Sequence, residues 1–140
     1  MSVQSIMAIG PVIPVVIIEN IDDAIPLADA LAEGGIGTIE ITLRSAVALN
    51  AIALISKERP DLTIGAGTVL NPLQMREVRE AGADFVVSPG VYPDLLKSAR
   101  DDGVIFLPGA TTASEMMLLL ANGITTMKFF PASSSGGPGY

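Results

Sequence analysis

Three charged side chains lie in apolar surroundings that do not usually hold charge: Lys128 in Met127-Lys128-Phe129-Phe130-Pro131, Glu40 in Ile39-Glu40-Ile41, and Arg44 just beyond it. On an average strand end, a lysine simply lets its ammonium snorkel to water. Here the apolar flanks favour a functional reading. Lysines are scarce in the chain, and Lys57 and Lys97 both fall on predicted helix surfaces. A lysine held inside a parallel strand is expected to be desolvated, and desolvation favours the neutral amine. A neutral amine attacks a ketone to form a Schiff base. Glu40 reads either as a salt-bridged glutamate on a sheet edge or as a buried carboxyl tuned for proton shuttling beside a carbonyl. Arg44 reads either as a capping or surface arginine or as a guanidinium that grips a substrate carboxylate with two hydrogen bonds.

Small residues frame these three. Gly65-Ala66-Gly67-Thr68 follows an apolar run, where a ligand could approach the backbone and Thr68 offers a hydroxyl and an amide; the glycines could equally relieve crowding. Ser88-Pro89-Gly90 and Pro108-Gly109 close two further runs, and are expected to shape a pocket rather than react.

Composition narrows the chemistry. The 140-residue chain has no histidine and no cysteine, which removes imidazole bases, thiolates, disulfides and His- or Cys-ligated metals. Carboxylates, lysines, hydroxyls and backbone groups remain. A net charge of −7 argues against nucleic acid or an anionic membrane as partner, but not against an anionic small molecule held in a locally basic site. The apolar N-terminus lacks a basic flank and is broken by Pro11 and Pro14, so it does not read as a signal peptide. No run approaches the length of a membrane span, and a soluble, cytoplasmic protein is expected.

The elements that must carry these residues form one repeated unit, a short apolar strand followed by an amphipathic helix. Strands are predicted over Ile13–Ile18, Thr38–Leu43, Thr63–Val69, Phe85–Ser88, Ile105–Leu107 and Thr126–Phe130, and helices over Ile21–Glu33, Ala46–Glu58, Pro72–Ala81, Pro93–Asp101 and Thr112–Ala121. Gly34, Gly82, Gly103 and Gly123 sit where a helix end needs a positive φ. Pro72 and Pro93 sit where a first turn accepts proline. Leu95, Leu96 and Ala99 mark one apolar helix face.

Strict alternation with short connections implies a parallel sheet with right-handed crossovers. An open doubly wound sheet and a closed barrel both fit. The second strand favours the barrel. From Thr38 to Arg44, even positions are polar and odd ones are Ile or Leu, whereas a central strand covered by helices on both faces would be apolar throughout. The expected fold is α/β, a (β/α)8 barrel in which about six units are present. A full barrel needs eight strands and about 250 residues. Residues 1–140 are taken as one domain, incomplete at its C-terminus, with 133–140 a Ser/Gly-rich loop or tail. That tail could be a plain terminus or a loop that cradles phosphate. A chain cut after six units and a small protein with another fold remain alternatives, and strands one and six would be open edges.

Taken together, Pro11-Val12-Ile13-Pro14-Val15, Gly34-Gly35-Ile36 through Arg44, Gly65-Ala66-Gly67-Thr68-Val69, Ser88-Pro89-Gly90, Pro108-Gly109 and Lys128-Phe129-Phe130-Pro131 resemble the 2-keto-3-deoxy-6-phosphogluconate (KDPG) and 4-hydroxy-2-oxoglutarate aldolase family. The resemblance runs in order along nearly the whole chain. It implies an aldehyde-lyase of carbohydrate metabolism (the Entner–Doudoroff pathway), a homotrimer of barrels needing no metal or cofactor. Such an enzyme splits a 2-keto acid reversibly into pyruvate and an aldehyde. By the same resemblance, Lys128 would form the imine and Glu40 would relay protons through a water. Arg44 and Thr68 would hold the carboxylate, the backbone near Gly67 and Pro89 would close the floor, and Phe130 would pack beside the imine. In this family the phosphate is held by loops after strands seven and eight, which the six units do not include. A chain ending at Tyr140 is expected to leave Lys128 open to water. The rival expectation is a non-catalytic barrel fragment that assembles with itself or another subunit; a pyruvate-lyase with another aldehyde partner is a third.

Overall fold

In the computed structural model, which describes residues 1–139, six parallel strands pair in chain order into a single curved sheet. The strands are β1 (Val15–Val16), β2 (Thr38–Thr42), β3 (Thr63–Gly67), β4 (Phe85–Ser88), β5 (Phe106–Ala110) and β6 (Lys128–Phe129). Helices α2 (Ala24–Glu33), α3 (Ala48–Glu58), α4 (Pro72–Glu80), α5 (Pro93–Asp101) and α6 (Ala113–Ala121) alternate with them, after a short N-terminal α1 (Val3–Met7). The sequential strand order, each strand beside the next in the chain, is that of an arc of a (β/α) barrel, with β1 and β6 at its two edges. Among the described residues, no helix is long and apolar enough to cross a membrane.

The alternation of β2 determines how the arc is built. Its odd residues, Ile39 and Ile41, join Ile64, Ala66 and Val86 in the core between sheet and helices. Its even residues face the concave side. There a second, smaller cluster of Ile6, Phe85, Val87 and Leu107 packs with Ile13 and Ile105. Gly65 leaves room for Phe85, since a Cβ there would lie 2.2 Å from the ring. Ile6 comes from α1, so the first helix plugs the N-terminal end of the arc. On the outer side, Arg59 ties the end of α3 to Asp29 of α2 and, through both carboxylate oxygens, to Asp61. The hydrogen bonds from Arg59 hold the Asp61 carboxyl below the usual carboxylate range.

Several boundaries move. β1 and β6 are shorter than their apolar runs; among the described residues each pairs with a single neighbouring strand. β5 begins one residue later than expected and runs through Pro108-Gly109 instead of ending there. Pro108 pairs with Ser88 and Gly109 with Lys128; a Cβ on Gly109 would lie 2.3 Å from the Pro89 carbonyl oxygen, so the glycine lets β4 and β5 approach closely. The positive φ after α2 belongs to Gly35 (83°), not Gly34, which keeps φ −74°. Ile36 N–H then reaches back to the Leu31 carbonyl, completing the left-handed helix stop one residue later than expected. Gly82, Gly103 and Gly123 do carry positive φ. The segment Ile21–Asp23 is a 3-10 turn leading into α2, capped by Asn20. The Ser/Gly-rich stretch forms two 3-10 turns, Ser133–Ser135 and Gly137–Gly139; Tyr140, the end of the predicted tail, lies outside the described residues.

Candidate active site

The concave face gathers its polar groups at the C-terminal ends of the strands, the end that bears the site in (β/α) barrels. Glu40 sits mid-β2, and its side chain is 5% exposed. Lys128 opens β6, on the far side of the arc, and its Nζ donates to both Glu40 oxygens at 3.0 Å. The pair is separated by 88 positions in the chain, and only curvature of the sheet brings the two together. The ammonium also lies 5.4 Å from the centre of the Phe130 ring, within cation–π range. The Lys128 side chain is 26% exposed, so it is open to water on one side rather than desolvated as a buried strand lysine would be. Lys57 and Lys97 are far more exposed on their helices, at 81% and 68%.

Arg44, exposed just past β2, donates from Nε to the Thr68 hydroxyl at 3.2 Å. Thr68 follows β3 with φ 59°, a left-handed conformation that a β-branched residue adopts only under constraint. That turn brings the hydroxyl into the pocket beside Arg44. The pocket is lined by Glu40, Arg44, Thr68, Val87, Ser88, Pro89, Lys128 and Phe130. The position predicted for Gly67 needs refinement. A Cβ on Gly67 would lie 2.2 Å from Glu40 Oε1, so this glycine makes space for the carboxylate behind the pocket wall.

The remaining predicted site residues, Arg44, Thr68, Pro89 and Phe130, all border the same small space as Glu40 and Lys128. A larger cavity of about 300 Å³ opens at the opposite end of the strands, between α1, α5 and the start of β6. Among the described residues, Arg100 is the one charged side chain lining it, and no carboxylate–amine pair is present there. The groups suited to imine chemistry therefore meet in the smaller pocket.

An amine beside a carboxylate, with a guanidinium and a hydroxyl close by, can form a carbinolamine while gripping an anionic group. A family profile for KDPG and KHG aldolase matches residues 3–139. The chain belongs to the KDPG and KHG aldolase family. The KHG/KDPG aldolase of Escherichia coli K12 is 47% identical over 136 residues, which is 97% of this chain and 64% of that relative. The structure of the KDPG aldolase of Zymomonas mobilis ZM4 with 3-phosphoglycerate superposes with a TM-score of 0.92 at 47% identity, covering 96% of this chain and 64% of that one. The KDPG aldolase of Legionella pneumophila, with pyruvate captured at low pH as a covalent carbinolamine intermediate, superposes at 0.94 with 44% identity, covering 96% of this chain and 66% of that one. The chain thus spans about 64% of the length of the curated KDPG and KHG aldolases it first matches.

Sequence reasoning passed over two residues at this site. Thr111, just after β5, donates its hydroxyl to the carbonyl of Phe130. Glu115, in the first turn of α6, accepts from the backbone N–H of Thr111 at 2.9 Å and of Thr112 at 2.8 Å. The Thr112-x-x-Glu115 spacing of a capping box was visible in the sequence and signals a fixed helix start. Nothing in the sequence marks the bond from Thr111 to Phe130, because it spans 19 positions.

Proposed function

We propose that this protein is a Schiff-base aldolase that cleaves KDPG, or the shorter 4-hydroxy-2-oxoglutarate, to pyruvate plus glyceraldehyde 3-phosphate or glyoxylate. The observation that carries the reading is the Lys128 amine held 3.0 Å from both oxygens of a buried glutamate, in one pocket with the Arg44–Thr68 pair. The covalent carbinolamine named for the Legionella pneumophila relative supports it.

Glu40 takes a proton from the Lys128 ammonium, and the freed amine attacks C2 of the keto acid to form a carbinolamine. Glu40 then returns a proton to the departing hydroxyl, so that water leaves and an iminium forms. In cleavage, the Glu40 carboxylate accepts the proton of the C4 hydroxyl through a water, the C3–C4 bond breaks, and its electron pair moves into the iminium. The aldehyde departs; the enamine is protonated at C3 and hydrolysed to pyruvate. The iminium is the electron sink, and this chain's own residues suffice to form it. Arg44 and Thr68 would fix the substrate carboxylate, Pro89 the pocket floor, and the Phe130 ring would shield one face of the imine. Gly67 contributes by leaving the Glu40 carboxylate room. A homotrimer acting in the cytoplasm on small keto acids is the working state this reading carries.

The test is borohydride reduction in the presence of pyruvate. Reduction of the imine should add a stable mass increment to the peptide containing Lys128. An unlabelled peptide, or a label that persists in Lys128→Met, would defeat the assignment.

A further inference from the structure

Among the described residues, β6 pairs with one strand only, β5, through Gly109–Lys128 and Ala110–Phe129. Two residues of paired strand give little hold on a lysine that must meet Glu40 on the far side of the arc. Immediately after the pair, Phe130 N–H donates to the Ala110 carbonyl at 3.3 Å, and the Phe130 carbonyl accepts from the Thr111 hydroxyl. Both polar groups of the Phe130 backbone are therefore held by two consecutive residues at the end of β5.

Thr111 is itself held. Its N–H donates to Glu115 Oε2, the same oxygen that receives Thr112 N–H and the Thr112 hydroxyl, at 3.0 Å. Those bonds keep the Glu115 carboxyl below its ordinary range, as an anion at the N-terminus of α6. The chain of contacts runs from the first turn of α6, through Thr111, to the backbone two residues beyond the reactive amine. Phe130 also supplies the ring 5.4 Å from that amine.

We infer that Thr111 is a positioning residue for the imine chemistry: its hydroxyl clamps the Phe130 carbonyl and so holds Lys128 and the Phe130 ring in register with Glu40. This rests on the Schiff-base reading. Thr111 touches neither substrate nor the reacting atoms, and works through Phe130. Its hydroxyl is the active part, so a shape-matched residue without it should fail where serine succeeds.

The experiment follows pyruvate labelling of the purified protein by borohydride over time, for the parent and for Thr111→Val and Thr111→Ser. Thr111→Val is expected to lower the labelling rate at saturating pyruvate by about ten- to a hundredfold, as a misplaced reacting group does. The half-saturating pyruvate concentration should stay near the parent value, since the Arg44–Thr68 pair is untouched. Thr111→Ser should recover most of the rate. If Thr111→Val merely loses folded protein, the final extent of labelling falls while the rate of the folded fraction stays at the parent value, and the inference is overturned. A parent rate in Thr111→Val, or a Thr111→Ser as slow as Thr111→Val, overturns it equally. If the parent itself is never labelled on Lys128, the Schiff-base reading falls first and the clamp falls with it; a labelled parent with an equally fast Thr111→Val removes the clamp alone.

Discussion

Glu40 and Lys128 depend on each other for stability as well as for chemistry. Glu40 is nearly fully buried, and its partner ammonium neutralises it at 3.0 Å. Removing the lysine alone leaves a buried carboxylate unpaired, a loss of about 3 kcal/mol. Lys128→Met should therefore be less stable in urea than the double variant Glu40→Gln/Lys128→Met, in which no charge is stranded. Equal midpoints for the two would show that the pair carries no such coupling. Glu40→Gln alone leaves the amine in place but removes the proton acceptor, and pyruvate labelling should slow by about a hundredfold or more. A glutamine variant labelled at the parent rate would take the proton relay away from Glu40. Gly67 gives a third handle. Alanine there would force the Glu40 carboxylate away from a Cβ only 2.2 Å distant, which costs about 1–3 kcal/mol and disturbs the ion pair. Gly90→Ala, at a position with nothing within 4 Å, is the control and should change neither stability nor labelling.

The segment from β5 to α6 shows how much of the fold could be read in advance. β2 was legible because one face of the strand is buried against helices and the other lines a polar pocket, so its side chains alternate. The prolines of α4 and α5 occupy first-turn positions, as their sequence placement implied. α1 was not legible: five residues are too few for periodicity, and its Ser2–Ser5 capping box lacks the usual acidic third residue. The run of β5 through Pro108-Gly109 was hidden too, because these residues ordinarily end strands and here are tolerated by the close approach of β4. At the site, the types of Lys128, Glu40 and Arg44 were legible, whereas their meeting depends on curvature that no local pattern encodes. The Thr112–Glu115 box was legible and sits at the point of leverage. Thr112→Ala should cost about 1 kcal/mol in a denaturant titration. Glu115 adds a pH signature. Its carboxyl is held below the ordinary value of 4.5 by the Thr112 and Thr111 backbone donors, so its contribution is fully present above that pH. It is lost as the pH falls through the lowered value. Glu115→Gln should therefore be less stable than the parent at neutral pH and approach it as acid protonates Glu115. A stability difference that stays constant down to the acid limb would contradict this.

Over the whole arc, the apolar surface is unevenly covered. In β1 and the two residues after it, Val16 and Ile18 pack into the core beneath the helices, while Val15 and Ile17, alternating with them, are about half exposed on the concave side. At the other end, Met117 and Leu120 are exposed on α6. Among the described residues, β1 pairs with β2 alone, so its outer edge presents backbone groups that no described strand takes up. Apolar side chains next to unpaired strand edges favour association with any chain that can cover both. Residues 1–140 as a polypeptide should therefore sediment above the monomer mass of 14.5 kDa at about 50 µM, a range in which exposed edges drive assembly. Ile17→Lys places a charge on that face without touching Glu40, Arg44 or Lys128, and should shift the population toward monomer. A parent that is monomeric at that concentration would mean that the concave face of β1 is not sticky. An Ile17→Lys variant that associates as strongly as the parent would move the contact to α6, where Met117→Lys is the corresponding probe. Val15 pairs with Glu40 on the concave side, so association through β1 covers the face that bears the pocket, and pyruvate labelling of Lys128 should be slower in the assembled than in the monomeric fraction.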